Sequence, residues 1–228
     1  MAASAQTAAR SPIAGLYVLT PELADSGALV ARVAAAIAGG AGVVQYRNKL
    51  GAAALRREQA HAVRALCRAQ RVIFIVNDDV DLAREVAADG VHLGQDDGEM
   101  TLARQALGEH AIIGASCYDS LDAAERAVTA GASYIAFGSF FASRVKPQAI
   151  RAPLSVLTTA KARWDVPVVA IGGITVANAP TLIAAGADAL AVISAVFDEA
   201  DIAAAAEAFA LAFAPRAPVM PAGLRVAN

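Results

Sequence analysis

Cysteine, aromatic residues and net charge are all scarce in this chain of 228 residues, and each shortage removes a class of explanation. The two cysteines, Cys67 and Cys117, stand in no CxxC or metal-ligand spacing. Neither a disulfide framework nor a thiolate metal site is expected, and a reducing cytoplasm suits them. A formal net charge of −2 leaves no strongly basic footprint for nucleic acid, so an anionic substrate has to be held by a local cluster of cations. Apolar residues reach 57%, much of it alanine, yet no stretch approaches the roughly 20 uninterrupted apolar residues of a membrane span. The nearest, Val30 to Ala38, is interrupted by Arg32. Met1 to Arg10 has no apolar segment of the secretory kind.

What is present is a repeated unit. A helix end of small residues, a glycine and a short apolar run recur at Gly39 to Val44, Ala88 to Leu93, Ala130 to Ala136 and Ala185 to Leu190. Glycine just past a helix relieves the left-handed turn that ends it. A short run rich in Val and Ile suits a strand buried on both faces. The pattern predicts strands at 15–19, 42–46, 72–76, 90–93, 111–115, 133–138, 167–171 and 188–193. Helices are expected at 27–38, 52–70, 80–88, 100–107, 120–130, 153–163, 176–185 and 200–213. Eight alternating pairs with short connections argue a single (β/α)8 TIM barrel over residues 13–213. An open doubly wound sheet is the competitor, but it would confine its site to one switch point. Residues 1–12 and 214–228, the latter with three prolines, read as a disordered N-terminal and a flexible C-terminal tail.

Polar and glycine clusters follow seven of the eight apolar runs, and only the first run ends quietly, at Thr20-Pro21. Chemistry confined to the ends of the strands is where a barrel of this kind builds its site. Gln45, Arg47 and Lys49 alternate where the second strand runs out, which puts two cations and an amide on one side of the chain. Such a cluster suits a pyrophosphate, although a solvated loop would look the same. Asn77-Asp78-Asp79 follows the third strand, and one of these residues is expected to cap the next helix. Asp97 follows the fourth strand, and neighbouring strands lie about 4.8 Å apart, so Asp78 and Asp97 could share one Mg2+ with substrate oxygens. Ser116 ends the fifth strand with no His–Asp partner in sequence reach, so it and Cys117 read as hydrogen-bonding or packing residues and not as nucleophiles. The long connection from Gly138 to Pro147 offers Ser143 and Lys146, and Gly172-Gly173 and Ser194 close strands seven and eight, where such barrels hold phosphate. His61 and His110 read as inert, and His92 reads as a hydrogen-bonded core residue with no catalytic duty.

In this order the clusters resemble the thiamine phosphate synthase family over roughly residues 13 to 210. The resemblance rests on Gln45-Tyr46-Arg47-Asn48-Lys49, Val76-Asn77-Asp78, His92-Leu93-Gly94-Gln95-Asp96-Asp97, Gly114-Ala115-Ser116, Ile171 to Ile174 and Ile193-Ser194-Ala195. It implies a transferase that joins hydroxymethylpyrimidine diphosphate to thiazole phosphate and releases pyrophosphate. Gln45, Tyr46, Arg47, Asn48, Lys49, Asn77, Ser116 and Lys146 would then hold the diphosphate substrate. Among these, Arg47, Lys49, Ser116 and Lys146 would serve the departing group, and Asp78 and Asp97 would bind Mg2+. The thiazole phosphate would lie on Ser143, Arg144, Val145, Gly173, Ile193 and Ser194. Val145 departs from the family's usual threonine and brings no hydroxyl. The implied enzyme is cytoplasmic, works on small molecules with neither nucleic acid nor membrane as partner, and is a possible homo-oligomer. A thiazole tautomerase on the same fold uses a histidine two residues after this serine, where the chain has Tyr118. A non-catalytic sensor of thiamine precursors would have no need of the cation and carboxylate set.

Overall fold

The structure is a computed structural model and describes residues 13–94, 100–142 and 150–214. Eight parallel strands pair in sequence order, and β8 closes on β1. They run β1 Gly15–Leu19, β2 Ala41–Tyr46, β3 Ile73–Asn77, β4 Gly90–Leu93, β5 Ile112–Tyr118, β6 Tyr134–Phe137, β7 Val168–Ile171 and β8 Ala189–Val192. The helices between and after them are α1 Ser26–Ala38, α2 Ala53–Gln70, α3 Val80–Glu85, α4 Met100–Leu107, α5 Leu121–Thr129, α6 Ser155–Arg163, α7 Ala179–Ala184, α8 Ser194–Phe197 and α9 Ile202–Ala212. The (β/α)8 barrel expected from the repeated unit is therefore the fold.

Successive residues of a strand point to opposite faces, and closure makes those faces two separate cores. Leu16, Val18, Val44, Phe74, Val91, Ile113 and Ile135 face outward onto the helices, where Leu29, Val33, Val63, Leu157 and Phe209 cover them. Tyr17, Leu19, Val43, Ile75, Tyr134, Val169 and Ala191 face inward and fill the barrel. Polar side chains share the inward face near the strand ends: Gln45 lies opposite Leu19 and Ile75, and Asn77 lies opposite His92.

Side-chain caps start several helices. Asp25 accepts from Ala28 N at 2.8 Å, Asp79 from Leu82 N at 2.9 Å and Ser120 from Ala123 N at 3.1 Å. Each satisfies an amide that the first helical turn leaves without a partner. Several elements differ from expectation, and α3 and α7 are shorter than the 80–88 and 176–185 expected. Helix α8 is a single turn, too short to show a period in the sequence, and is held by the buried Val196 and Phe197. Strand β5 runs on to Tyr118, with an irregularity in its pairing to β6 between Ser116 and Tyr118. Both cysteines are buried and free, Cys117 facing the outer core, and burial pushes each thiol up to about 12.

Gly114 opens room for Tyr134, one of two tyrosines inside the barrel. It pairs with Tyr134 across β5 and β6, and a Cβ there would fall on the Tyr134 ring. Gly114→Ala is therefore expected to destabilise the fold by about 1–3 kcal/mol through overpacking. At roughly 2–4 °C per kcal/mol for a chain of this size, the thermal midpoint falls visibly. An unchanged midpoint would show that the ring has space to move.

Candidate active site

Because all eight strands run the same way, their C-terminal ends meet at one mouth. A cavity of about 620 Å³ opens there, and every strand or the loop after it lends a wall. Tyr17, Gln45, Asn77, His92, Ser116, Tyr134, Val169 and Ala191 each come from a different strand.

The β2–β3 side carries the charge. Arg47 and Lys49 line the cavity two residues apart, with Asn77 and Asp78 beside them. Lys49 Nζ stands 3.0 Å from the Asp78 carboxylate. Asp78 has a φ of 63°, a left-handed conformation that a non-glycine residue adopts only where its surroundings impose it. Its N–H donates to the His92 carbonyl at 2.9 Å, which ties it to β4. Asp79 faces away from the mouth and caps α3, the division of labour expected within Asn77-Asp78-Asp79.

The strand end that looked quiet holds this rim in place. Thr20 is buried, and its hydroxyl both accepts from Arg47 N at 2.9 Å and donates to Arg47 O at 3.1 Å. Glu22 pairs with the Arg47 guanidinium at 3.0 Å. Neither residue carries a sequence signal, because each acts on a residue that is distant in the chain and adjacent only through β1–β2 pairing.

The side chains of Tyr46 and Asn48, expected beside the diphosphate substrate, are engaged within the protein. The alternation that turns Gln45, Arg47 and Lys49 inward turns these two outward. Tyr46 OH and Asn48 Nδ2 each donate to Gln59 Oε1 at 3.0 Å, and Asn48 Oδ1 accepts from Gly51 N at 2.7 Å. Tyr46 is packed in the outer core, outside the cavity.

The floor is polar, which is unusual for the inside of a small barrel. Gln45 Nε2 donates to Tyr17 OH at 2.7 Å, and Tyr17 OH lies 2.8 Å from Tyr134 OH. Tyr134 OH lies 2.9 Å from His92 Nδ1, and His92 Nε2 lies 2.9 Å from Ser116 Oγ. Burial pulls the His92 pKa down from 6.5 to about 4, against the opposing pull of Asp78, and pushes both tyrosines well above their ordinary value. His92 is thus the hydrogen-bonded core residue anticipated. It is also the partner for Ser116 that the sequence had not offered.

Strands β7 and β8 bring backbone in place of charge. Gly172 and Gly173 have φ values of 102° and 65°, and a Cβ on Gly173 would run into the backbone of Phe141 and Ala142. Only glycine fits so close a crossing. Among the described residues the Gly173 N–H has no acceptor. Ile193 and Ser194 line the cavity beside it, where α8 begins. Tyr118 also borders the cavity, as does Arg126 of α5, and nothing in the local sequence of Arg126 sets it apart from surface residues. Asp97, Ser143, Arg144, Val145 and Lys146 lie outside the described residues. Among the described residues no three His, Cys, Asp or Glu side chains gather into a metal cluster, and no helix is long and apolar enough to cross a membrane.

Fold and cavity together define a (β/α)8-barrel enzyme whose site is built on the carboxyl ends of its strands. Comparison with known proteins narrows this. The sequence model of thiamine monophosphate synthase matches residues 16–196. Thiamine-phosphate synthase of Chromobacterium violaceum is 53% identical over 204 residues, covering 90% of this chain and 98% of that protein. The Azoarcus protein of the same name is 54% identical over 202 residues, covering 89% and 98%. The solved structure of thiamine phosphate pyrophosphorylase from Pyrococcus furiosus superposes with a TM-score of 0.78 at 36% identity, covering 89% of this chain and 96% of that one. The chain belongs to the thiamine monophosphate synthase family and is a transferase.

The Thr20 contacts give a direct test of how the charged rim is held. Thr20→Val leaves the part-buried Arg47 N–H without its acceptor, and is expected to cost about 0.5–1.5 kcal/mol in urea unfolding. Thr20→Ser, which keeps the hydroxyl, is expected to recover most of that loss. Equal losses in both variants would assign the effect to the methyl group and not to the hydrogen bonds.

Proposed function

We propose that the cavity joins hydroxymethylpyrimidine diphosphate to thiazole phosphate, forming thiamine phosphate and releasing pyrophosphate. The observation that carries this reading is the division of one cavity. Two cations and a carboxylate stand on the β2–β3 side, and close-packed glycine backbone stands across the barrel on β7–β8. One rim suits a diphosphate and the other a monophosphate held by N–H groups. The names borne by the relatives at about half identity support the same reading.

On this reading Arg47 and Lys49, with Lys146 from outside the described residues, neutralise the diphosphate as its bond to the pyrimidine methylene breaks and the electron pair leaves on oxygen. The thiazole nitrogen lone pair then forms the new C–N bond. No protein nucleophile takes part. Asp78 at the cavity rim is a hard carboxylate donor, and two such carboxylates with substrate oxygens are a usual way to hold Mg2+. Asp78 and Asp97 would hold the ion, which when bound adds positive charge beside the diphosphate. Gln45, Asn77 and Ser116 would orient the pyrimidine substrate, and Gly173, Ile193 and Ser194, with residues 143–145, would hold the thiazole phosphate. Such chemistry is that of a cytoplasmic enzyme on small molecules.

The deciding assay mixes the purified chain with both substrates and Mg2+ and measures thiamine phosphate as fluorescent thiochrome. Turnover is expected, and its absence in correctly folded protein would refute the proposal. Arg47→Gln is expected to raise KM for the pyrimidine diphosphate by about 10- to 100-fold, the worth of one or two charge-assisted hydrogen bonds, while changing KM for the thiazole phosphate by less than about threefold. A matching rise in both constants would contradict the separation of the two rims.

A further inference from the structure

The cavity floor is a chain of hydrogen bonds whose direction can be counted out. Gln45 Nε2 can only donate, so Tyr17 OH accepts from it at 2.7 Å. Tyr17 has one proton and one partner left, Tyr134 OH at 2.8 Å, so the proton lies on that bond. Tyr134 then accepts from Tyr17 and must spend its own proton on His92 Nδ1 at 2.9 Å. A ring nitrogen that accepts carries no hydrogen. The imidazole hydrogen is therefore on Nε2 and points at Ser116 Oγ, 2.9 Å away. Ser116 accepts it, and among the described residues its own proton has no acceptor. Ser116 lines the cavity, so that proton is offered to whatever binds there.

We propose that Tyr17, Tyr134 and His92 are positioning residues that lock Ser116 as a hydrogen-bond donor toward a lone pair of the pyrimidine diphosphate substrate. This reverses the familiar serine–histidine pair, in which Nε2 accepts the serine proton and prepares an oxygen nucleophile. The close approach of His92 to Ser116 thus does not make the serine a nucleophile. It occupies one lone pair of the hydroxyl and gives the serine proton no acceptor on the imidazole, so that proton stays free to be donated into the cavity.

Two other proton arrangements fail on the same count. A doubly protonated His92 would donate to Tyr134, Tyr134 would donate to Tyr17, and the proton of the buried Tyr17 would have no acceptor among the described residues. A reversed Gln45 amide would run the whole chain backwards. It would place the amide nitrogen where Oε1 now stands, a buried position with no partner, and leave both its N–H groups unpaired. A buried carbonyl oxygen short of a partner is tolerated more often than an orphaned N–H. The present direction is the one with the smaller penalty.

The tautomer can be read without any substrate, and so independently of the proposed reaction on which the role of Ser116 rests. His61 and His110 are exposed and away from the cavity, so His61→Gln with His110→Gln leaves His92 as the only imidazole. Long-range 15N–1H correlation at neutral pH is expected to show a hydrogen on Nε2 and none on Nδ1. A hydrogen on Nδ1 would overturn the proposal. A turnover cycle gives the functional arm. Tyr134→Phe is expected to slow the enzyme by about tenfold, the worth of one hydrogen bond, and to have no further effect once Ser116→Ala is present. Losses that multiply in the double variant would show that Tyr134 does not act through Ser116. If the tautomer is as expected but neither parent nor variants turn over, the reaction and not the chain direction is at fault.

Discussion

Closure of eight parallel strands is the constraint from which the remaining features follow. A closed parallel sheet has two faces that never mix, and it brings eight strand ends to a single mouth. Inward positions near the strand starts include Val43, Tyr134, Val169 and Ala189, whereas those near the ends include Gln45, Asn77, His92 and Ser116. The same alternation that makes these residues neighbours sends Tyr46 and Asn48 to Gln59 on the far side of the sheet. Position along a strand decides depth in the barrel, and parity decides whether a side chain meets substrate or helix.

Polar groups inside such a barrel are costly unless their hydrogen bonds are satisfied. The floor meets this cost by linking Gln45, Tyr17, Tyr134, His92 and Ser116 end to end. Burial keeps both phenols protonated and His92 neutral, so the chain carries no net charge beneath a charged rim. Above it, Arg47 is held by Thr20 and Glu22, and Asp78 by its bond to the His92 carbonyl. Groups fixed before substrate arrives need no reorganisation while charge develops, which is where electrostatic catalysis draws its strength.

The barrel was legible because a helix–glycine–strand unit recurs and its glycines stand at helix ends. The charged rim was legible because Arg47 and Lys49 share parity on one strand. Thr20, Glu22 and the tie between His92 and Ser116 were not, since their meaning lies in strand pairing and in distances across the barrel. A serine and a histidine separated by a whole β/α unit gave no local sign of contact. Helix α8 escaped notice for another reason: one turn held by Val196 and Phe197 has no period to read. Arg126 looks like any exposed helical cation until α5 is placed beside the cavity.

The central claim is that one cavity separates a diphosphate rim from a monophosphate rim. A crystal structure of the protein grown with both substrates' phosphate-bearing analogues, one diphosphate and one monophosphate, tests it most directly. The diphosphate is expected against Arg47, Lys49 and Asp78, and the monophosphate against Gly173 and Ser194. A diphosphate seated on the β7–β8 glycines, with Arg47 still bound to Glu22 and free of ligand, would contradict it.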